Sequence, residues 1–322
     1  MNFLRSISMK QRNRIETVLV FIAKIKPIGW LLKLLLLPFT RSRLIPLGFC
    51  FYLPALGDCA IALPEGDNFI MVNEGRDGVA NALYWRGING VSPGFINMWL
   101  AASKDANVIL DIGGGTGTVS LMSSAINKSA KIYTFEPVKD KYEYLLRNVK
   151  ANNFTNITLI KKAVSNKQEP ITLFVPHYPY VFTSASMMQN FRPKEDVNKE
   201  IQVDCICIDN FLNEQKIENV DLITLNIEGA EPYALDGMQK TIEINSPIIM
   251  LEILPNSEAG AMIVEFFSKY DYVWYWLSNS GPIRTDSQVI NQSLEEGMYL
   301  LSPTSKNVES MYTHSLSSVK NV

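Results

Sequence analysis

The sequence predicts an α/β protein built on a doubly wound, mostly parallel sheet. Two observations carry this: short β-branched runs alternate with amphipathic stretches, and a glycine cluster stands directly after the first such run. The runs are VILDI (108–112), KIYTF (131–135) and ITLIKKAV (157–164), then DLITLNI (221–227) and PIIMLEIL (247–254). Between them, KDKYEYLLRNVKAN (139–152) sets Tyr142, Leu145, Leu146 and Val149 at three- and four-residue spacing, the period of one helical face. Strand, helix and strand repeated at this pitch read as a parallel sheet with helices on its faces.

Further elements follow in order. ITLFV (171–175) and IQVDCICI (201–208) read as hairpin strands around an irregular 176–200. Helices are expected over about 232–244 and 258–270, and final strands at YVWYWLS (272–278) and GMYLLSP (297–303). Upstream, FCFYLPALGDCAIALPEGDNFIMV (49–72) breaks apolar runs with Pro and Gly, a hairpin pattern. Residues 77–104 are helical in parts. The expected units are a leader (1–45), an N-terminal β/α extension and lid (46–105), the ligand-binding domain (106–303) and a flexible Ser-, Asn- and Thr-rich tail (304–322).

Charge is unevenly spread. Residues 1–45 carry nine Lys/Arg against Glu16 alone, net +8, whereas the remainder carries 21 bases and 31 acids, net −10. A basic leader on an acidic body points to an anionic membrane surface, and the lack of a basic groove with interleaved aromatics argues against nucleic acid. Residues 15–38 are apolar enough for a span, but Lys24, Lys26, Lys33 and Pro27 interrupt them. The preferred reading is a kinked amphipathic helix lying in the headgroup region with Trp30 as anchor, on a cytoplasmic, peripherally attached protein. A signal-anchor span and a helix packed on the protein's own body are the alternatives. Cys50, Cys59, Cys205 and Cys207 fit neither zinc spacing nor bridging and read as buried thiols of a reducing compartment. No metal site is expected.

The loop DIGGGTGTVSL (111–121) places Gly113, Gly115 and Gly117 at G-x-G-x-G spacing. A dinucleotide fold needs its third small residue one position later, where Thr118 stands. Glu136 ends the second strand, 23 residues after Gly113, where a carboxylate faces the switch-point crevice and accepts from ribose hydroxyls. Bare backbone, a ribose acid and no pyrophosphate architecture favour S-adenosyl-L-methionine over NAD, with Asp111 as the acid for its ammonium group. Ala163, at the end of the third run, is counted with this cofactor set.

DIGGGTGTVSL, FEPVKDKYEYLLRNVKANNFTNITLIKKAVS, ICIDNFL, DLITLNIEGAEPYALDGM and PIIMLEIL together resemble the FkbM-type S-adenosylmethionine-dependent methyltransferases, over roughly 107–254. The resemblance implies a Rossmann-like class I methyltransferase sheet and methyl transfer to a hydroxyl, often of a sugar or glycosylated product. Glu228, Gly229, Ala230, Glu231, Leu235 and Gly237 match the family's most specific segment. Thr224 and Asn226 replace its lysine and aspartate, and the first loop reads Gly-Gly-Gly-Thr-Gly where the family has Gly-Ala-Asn-x-Gly.

Candidate bases lie at strand ends. Glu228 is preferred, then Glu252, with Asn226 as an orienting amide and His177 as a loop base of lower rank. Glu231 precedes Pro232 at a helix start and reads as structural. The expected substrate is a hydroxyl-bearing small molecule, glycan or lipid-linked saccharide. A degenerate, membrane-tethered binding protein and an NAD enzyme are the competing readings.

Overall fold

The computed structural model describes residues 26–51, 53–75, 77–88, 92–176, 185–188, 197–254, 258–286 and 297–319. At its centre is an eight-stranded sheet. The strands are β3 (Val108–Ile112), β4 (Lys131–Phe135), β5 (Ile157–Ile160), β10 (Leu222–Leu225), β11 (Ile248–Ile253), β12 (Tyr272–Ser278), β13 (Gly281–Thr285) and β14 (Gly297–Pro303). Their spatial order is β5-β4-β3-β10-β11-β14-β12-β13. The first five run parallel, and β14 is antiparallel to both β11 and β12. Chain order reverses between β3 and β10, so the carboxyl ends of these two strands flank the crevice where such sheets bind ligands.

Alternation along each strand sorts the core into two layers. Ile109, Ile132, Leu222, Met250 and Leu300 face one side. There they meet α4 (Pro93–Ser103), α5 (Thr118–Ile126), α6 (Lys139–Ala151) and α11 (Val308–Val319), through Trp99, Leu121, Leu145 and Val308. Leu110, Ile112, Ile223, Leu251 and Leu301 face the other. Their partners are α7 (Ile208–Gln215), α8 (Glu231–Asp236), α9 (Gln239–Asn245) and α10 (Glu258–Phe267). Each fully buried Leu or Ile contributes about 1.5–3 kcal/mol, so register slips that turn these residues outward are strongly disfavoured.

The extension forms the expected hairpin, β1 (Leu56–Ile61) with β2 (Phe69–Glu74), then α3 (Gly78–Arg86) and α4. Asn148 of α6 ties the hairpin to the domain. Its Oδ1 accepts from Val72 N–H at 2.7 Å, and its Nδ2 donates to Thr116 O at 2.7 Å. Ahead of the hairpin, α1 (Lys26–Arg41) carries Pro38 inside it, and the short α2 (Leu47–Cys50) follows. Among the described residues, no helix is long and apolar enough to cross a membrane. Most of the leader, including residues 1–25 and the side chains of Lys26 and Trp30, lies outside what is described.

Several expectations change. Residues 308–319 of the expected tail form α11, which packs on the core through Val308, Met311 and Tyr312. ITLIKKAV splits, because β6 (Ala163–Val164) leaves the main sheet to pair with β9 (Cys205–Ile206). The strand expected over 201–208 is instead β8 (Val197–Val203), paired antiparallel with β7 (Ile171–Pro176), followed by β9 and the start of α7. Cys207 is therefore the residue before a helix and half-buried, while Cys50, Cys59 and Cys205 are buried; all four are free. The helix expected over 232–244 breaks at Gly237-Met238 into α8 and α9. Strand β13 was not anticipated.

Candidate functional site

A cavity of about 720 Å³ opens at the carboxyl ends of β3, β10 and β11. That size suits a cofactor together with part of an acceptor. Its floor is the glycine loop. Gly113 and Gly114 N–H groups both donate to Phe135 O at 3.0 Å, and Gly117 N–H donates to Gly114 O at 2.8 Å. Gly113 has φ 88°, and a Cβ there would stand 2.1 Å from Asn226 O, so no side chain fits between the two strand ends. Gly117, at φ 103°, faces Leu145 Cδ1 at 2.6 Å from where a Cβ would be. It caps α5 and is not among the cavity-lining residues, unlike Gly113, Gly114 and Gly115.

Asp111 is buried at 2 % exposure and lines the cavity. Ser120 Oγ donates a short hydrogen bond to its Oδ2 and also meets Thr134 Oγ1 at 2.6 Å. Thr134, Asp111 and Thr224 stand in register across β4, β3 and β10, a buried polar row beneath the loop. Burial is the main influence on the Asp111 carboxyl and pushes its pKa up to about 6, against the lowering effect of Ser120. A cation bound beside it would restore the charged form.

Glu136 is also buried and lines the cavity. Its oxygens are both engaged by backbone: Oε2 accepts from Gly115 N–H at 2.9 Å, and Oε1 from Val138 N–H at 2.8 Å. Desolvation raises its pKa, partly offset by Lys141. The carboxylate thus shapes the loop as well as facing the crevice. Each oxygen keeps a second lone-pair direction for a ligand hydroxyl.

The opposite wall comes from β10, β11 and the β12–β14 edge: Thr224, Asn226, Ile227, Glu228, Glu252, Trp276, Ser278 and Met298. Asn226 is exposed, and Glu228 and Glu252 are half-buried. The turn after β10 is tightly held. Glu228 and Gly229 have φ 57° and 92°, the left-handed region that a glutamate seldom adopts. Glu231 Oε1 accepts Ile227 N–H at 3.0 Å, and Ser186 Oγ donates to Glu228 O at 2.6 Å. Glu231 is 1 % exposed and absent from the cavity wall, in keeping with the structural reading. Burial lifts its pKa to about 7.

One further candidate stands apart from the group. Ala163 lines a separate cavity of about 40 Å³ behind Gly113, not the large one, because β6 departs from the main sheet. His177 lies outside the described residues. The sequence reading missed Lys141 and Trp276. Lys141 follows Glu136 by five residues at the head of α6, a placement visible once Glu136 is chosen. Trp276 sits in an apolar strand run that gave no hint of its 44 % exposure. Among the described residues, no cluster of His, Cys, Asp and Glu could hold a metal ion.

An open sheet with an antiparallel strand let in near its edge, a glycine loop after its first parallel strand and an acid after the next define a Rossmann-like class I methyltransferase fold. The methyltransferase FkbM domain model matches residues 111–274, half of the chain, and the protein belongs to that family. Among curated proteins, it is 24% identical to "Methyltransferase 1" of Beauveria bassiana over 152 residues, 43% of this chain and 61% of that one. It is 31% identical to the tRNA1(Val) (adenine(37)-N6)-methyltransferase of Pseudoalteromonas translucida over 79 residues, 24% of this chain and 34% of that one. The chain thus spans less than two thirds of either relative. Among solved structures, a methyltransferase FkbM from Methylobacillus flagellatus aligns at 15% identity and TM-score 0.39, covering 61% of this chain and 44% of that one. A putative methyltransferase from Streptococcus mutans, in complex with SAH, aligns at 11% identity and TM-score 0.41, covering 66% and 97%.

Proposed function

We propose that the protein is an S-adenosylmethionine-dependent O-methyltransferase acting on a hydroxyl of a sugar or glycan. The observation that carries the cofactor is the charge of the cavity. Among the described residues, its wall holds four carboxylates, Asp111, Glu136, Glu228 and Glu252, against the single ammonium of Lys141. A dinucleotide pyrophosphate would meet repulsion there, whereas a ligand bearing a sulfonium and an ammonium is attracted. Bare backbone at Gly113 and Gly114 leaves room for close passage of such a ligand. Asp111 would hold the ammonium, and Glu136 the ribose hydroxyls.

S-adenosylmethionine, when bound, supplies a methyl on a positively charged sulfur, an already activated donor. The protein's share is then to align an acceptor oxygen and take its proton. Glu228 is the base we assign. Its backbone is fixed by Ser186, and the amide below it by Glu231, so its carboxylate starts from a set position. Asn226, beside it, has an amide suited to orienting the hydroxyl. Glu252 flanks the same space from β11, and its charge favours the cationic donor. Trp276 offers an aromatic face at the cavity wall, the surface on which the apolar side of a sugar ring packs.

The test is transfer of labelled methyl into purified saccharide acceptors, with calorimetric titration of S-adenosylmethionine and NAD beside it. Micromolar binding of the sulfonium, no binding of NAD and label in the saccharide are the expected results. Binding without transfer to any hydroxyl acceptor would favour the degenerate binding protein, which the Thr224 and Asn226 replacements keep in view. NAD binding would overturn the cofactor assignment.

A further inference from the structure

We infer that the outer face of α1 is a docking surface for an anionic phospholipid layer, on which the helix lies in plane. In α1, Leu32, Leu36 and Leu37 are half-buried and Thr40 is buried, so these turn toward the body. Leu31, Leu34, Leu35 and Phe39 point the other way, at 48 %, 58 %, 55 % and 51 % exposure. At about 100° per residue they fall within one arc of the helix. Leu44, 72 % exposed just beyond the helix, adds to the patch. An apolar surface this continuous on a small domain marks a place of contact.

Charge selects the occupant. Arg41 flanks this face and Lys33 lies across the helix from it, and both hold the helix to the extension: Lys33 Nζ stands 5.1 Å from the Tyr84 ring centroid, and Arg41 Nη2 donates to Tyr84 O at 3.1 Å. Arg43 follows, and the leader as a whole is net +8 against −10 for the rest. A second copy would set cation against cation across the interface. A negatively charged headgroup layer instead takes the leucines into its acyl boundary and the cations at its surface, while the acidic body is repelled and held outward.

The inference is independent of the cofactor assignment, and the test keeps the two apart. The full chain is floated with phosphatidylcholine vesicles and with vesicles containing about one third phosphatidylglycerol. Binding to the anionic vesicles should exceed the neutral ones by about tenfold and fall with salt. The double variant Leu34→Asp/Leu35→Asp should lose it, with thermal unfolding unchanged because both side chains are exposed. Equal binding to both vesicle types, or undiminished binding by the variant, would overturn the inference. So would a native dimer, seen by sedimentation, that the variant abolishes in the absence of vesicle binding; that result assigns the face to a second copy.

Discussion

The two walls of the cavity are built differently. On the wall proposed for the donor, Asp111 and Glu136 are 2 % and 3 % exposed, and hydrogen bonds hold both to the loop and helix around them. On the wall proposed for the acceptor, Asn226, Glu228, Glu252 and Trp276 are half-buried or exposed, on strands and in a turn with two left-handed residues. One wall is a finished mould, and the other a set of reaching side chains on a fixed turn. Enzymes that share a donor and differ in acceptor need that division, since preorganisation at the common end leaves the variable end free to change.

The largest effect that could break this contrast comes from Gly113→Ala. The added methyl meets Asn226 O where there is no room, and the strained backbone costs about 1–3 kcal/mol besides. Calorimetry should show cofactor affinity down by about 100-fold or more with a lowered melting temperature; an unchanged affinity would mean the loop is not a mould at all.

Next comes Asp111→Asn, which should weaken the cofactor by about 10–100-fold through loss of the ammonium partner. It should also stabilise the ligand-free protein at pH 8. The Asp111 pKa is raised by folding, from 3.8 to about 6, so its contribution to stability is full below about pH 4 and lost as pH rises through 6. Removing the charge restores on the order of 2 kcal/mol at high pH, readable by denaturant titration. In the native protein, cofactor affinity should correspondingly fall as pH drops below about 6. A flat pH profile would detach Asp111 from the ligand.

On the acceptor wall, Glu228→Gln should lower kcat about 10²–10⁴-fold with cofactor affinity unchanged, and Glu252→Gln should fall well short of that. Equal kcat for Glu228→Gln and the native protein would move the base elsewhere. The smallest change is Trp276→Ala. It should raise the acceptor KM by about three- to tenfold and leave kcat nearly intact, since a stacking face binds ground and transition states alike.

How far the sequence discloses the molecule follows the same divide. The donor wall was legible because glycine spacing, strand ends and a carboxylate 23 residues on are local signals with tight geometric causes. Gly117 and Ala163, expected with this group, lie off the large cavity, because their surroundings are made by Leu145 of α6 and by β9, partners distant in sequence. The acceptor wall was legible only in part. Glu228, Asn226 and Glu252 stand at strand ends, whereas Trp276 reaches the cavity through a strand order in which β14 inserts between β11 and β12. Nothing local encodes that order. The docked α11 was hidden for a similar reason: a few apolar residues in a polar stretch look like a tail until a helix face awaits them.

The turn after β10 has one more consequence. Its shape is clamped from beneath, by Glu231 on Ile227 N–H and by Ser186 on Glu228 O, and neither clamp uses the side chains of Asn226 or Glu228. New chemistry can therefore be written onto those two positions while the peptide path beneath them stays put. A Glu228→Asn or Glu228→Gly change would even relax the left-handed residue, so one substitution that removes the proposed base should also make the fold more stable.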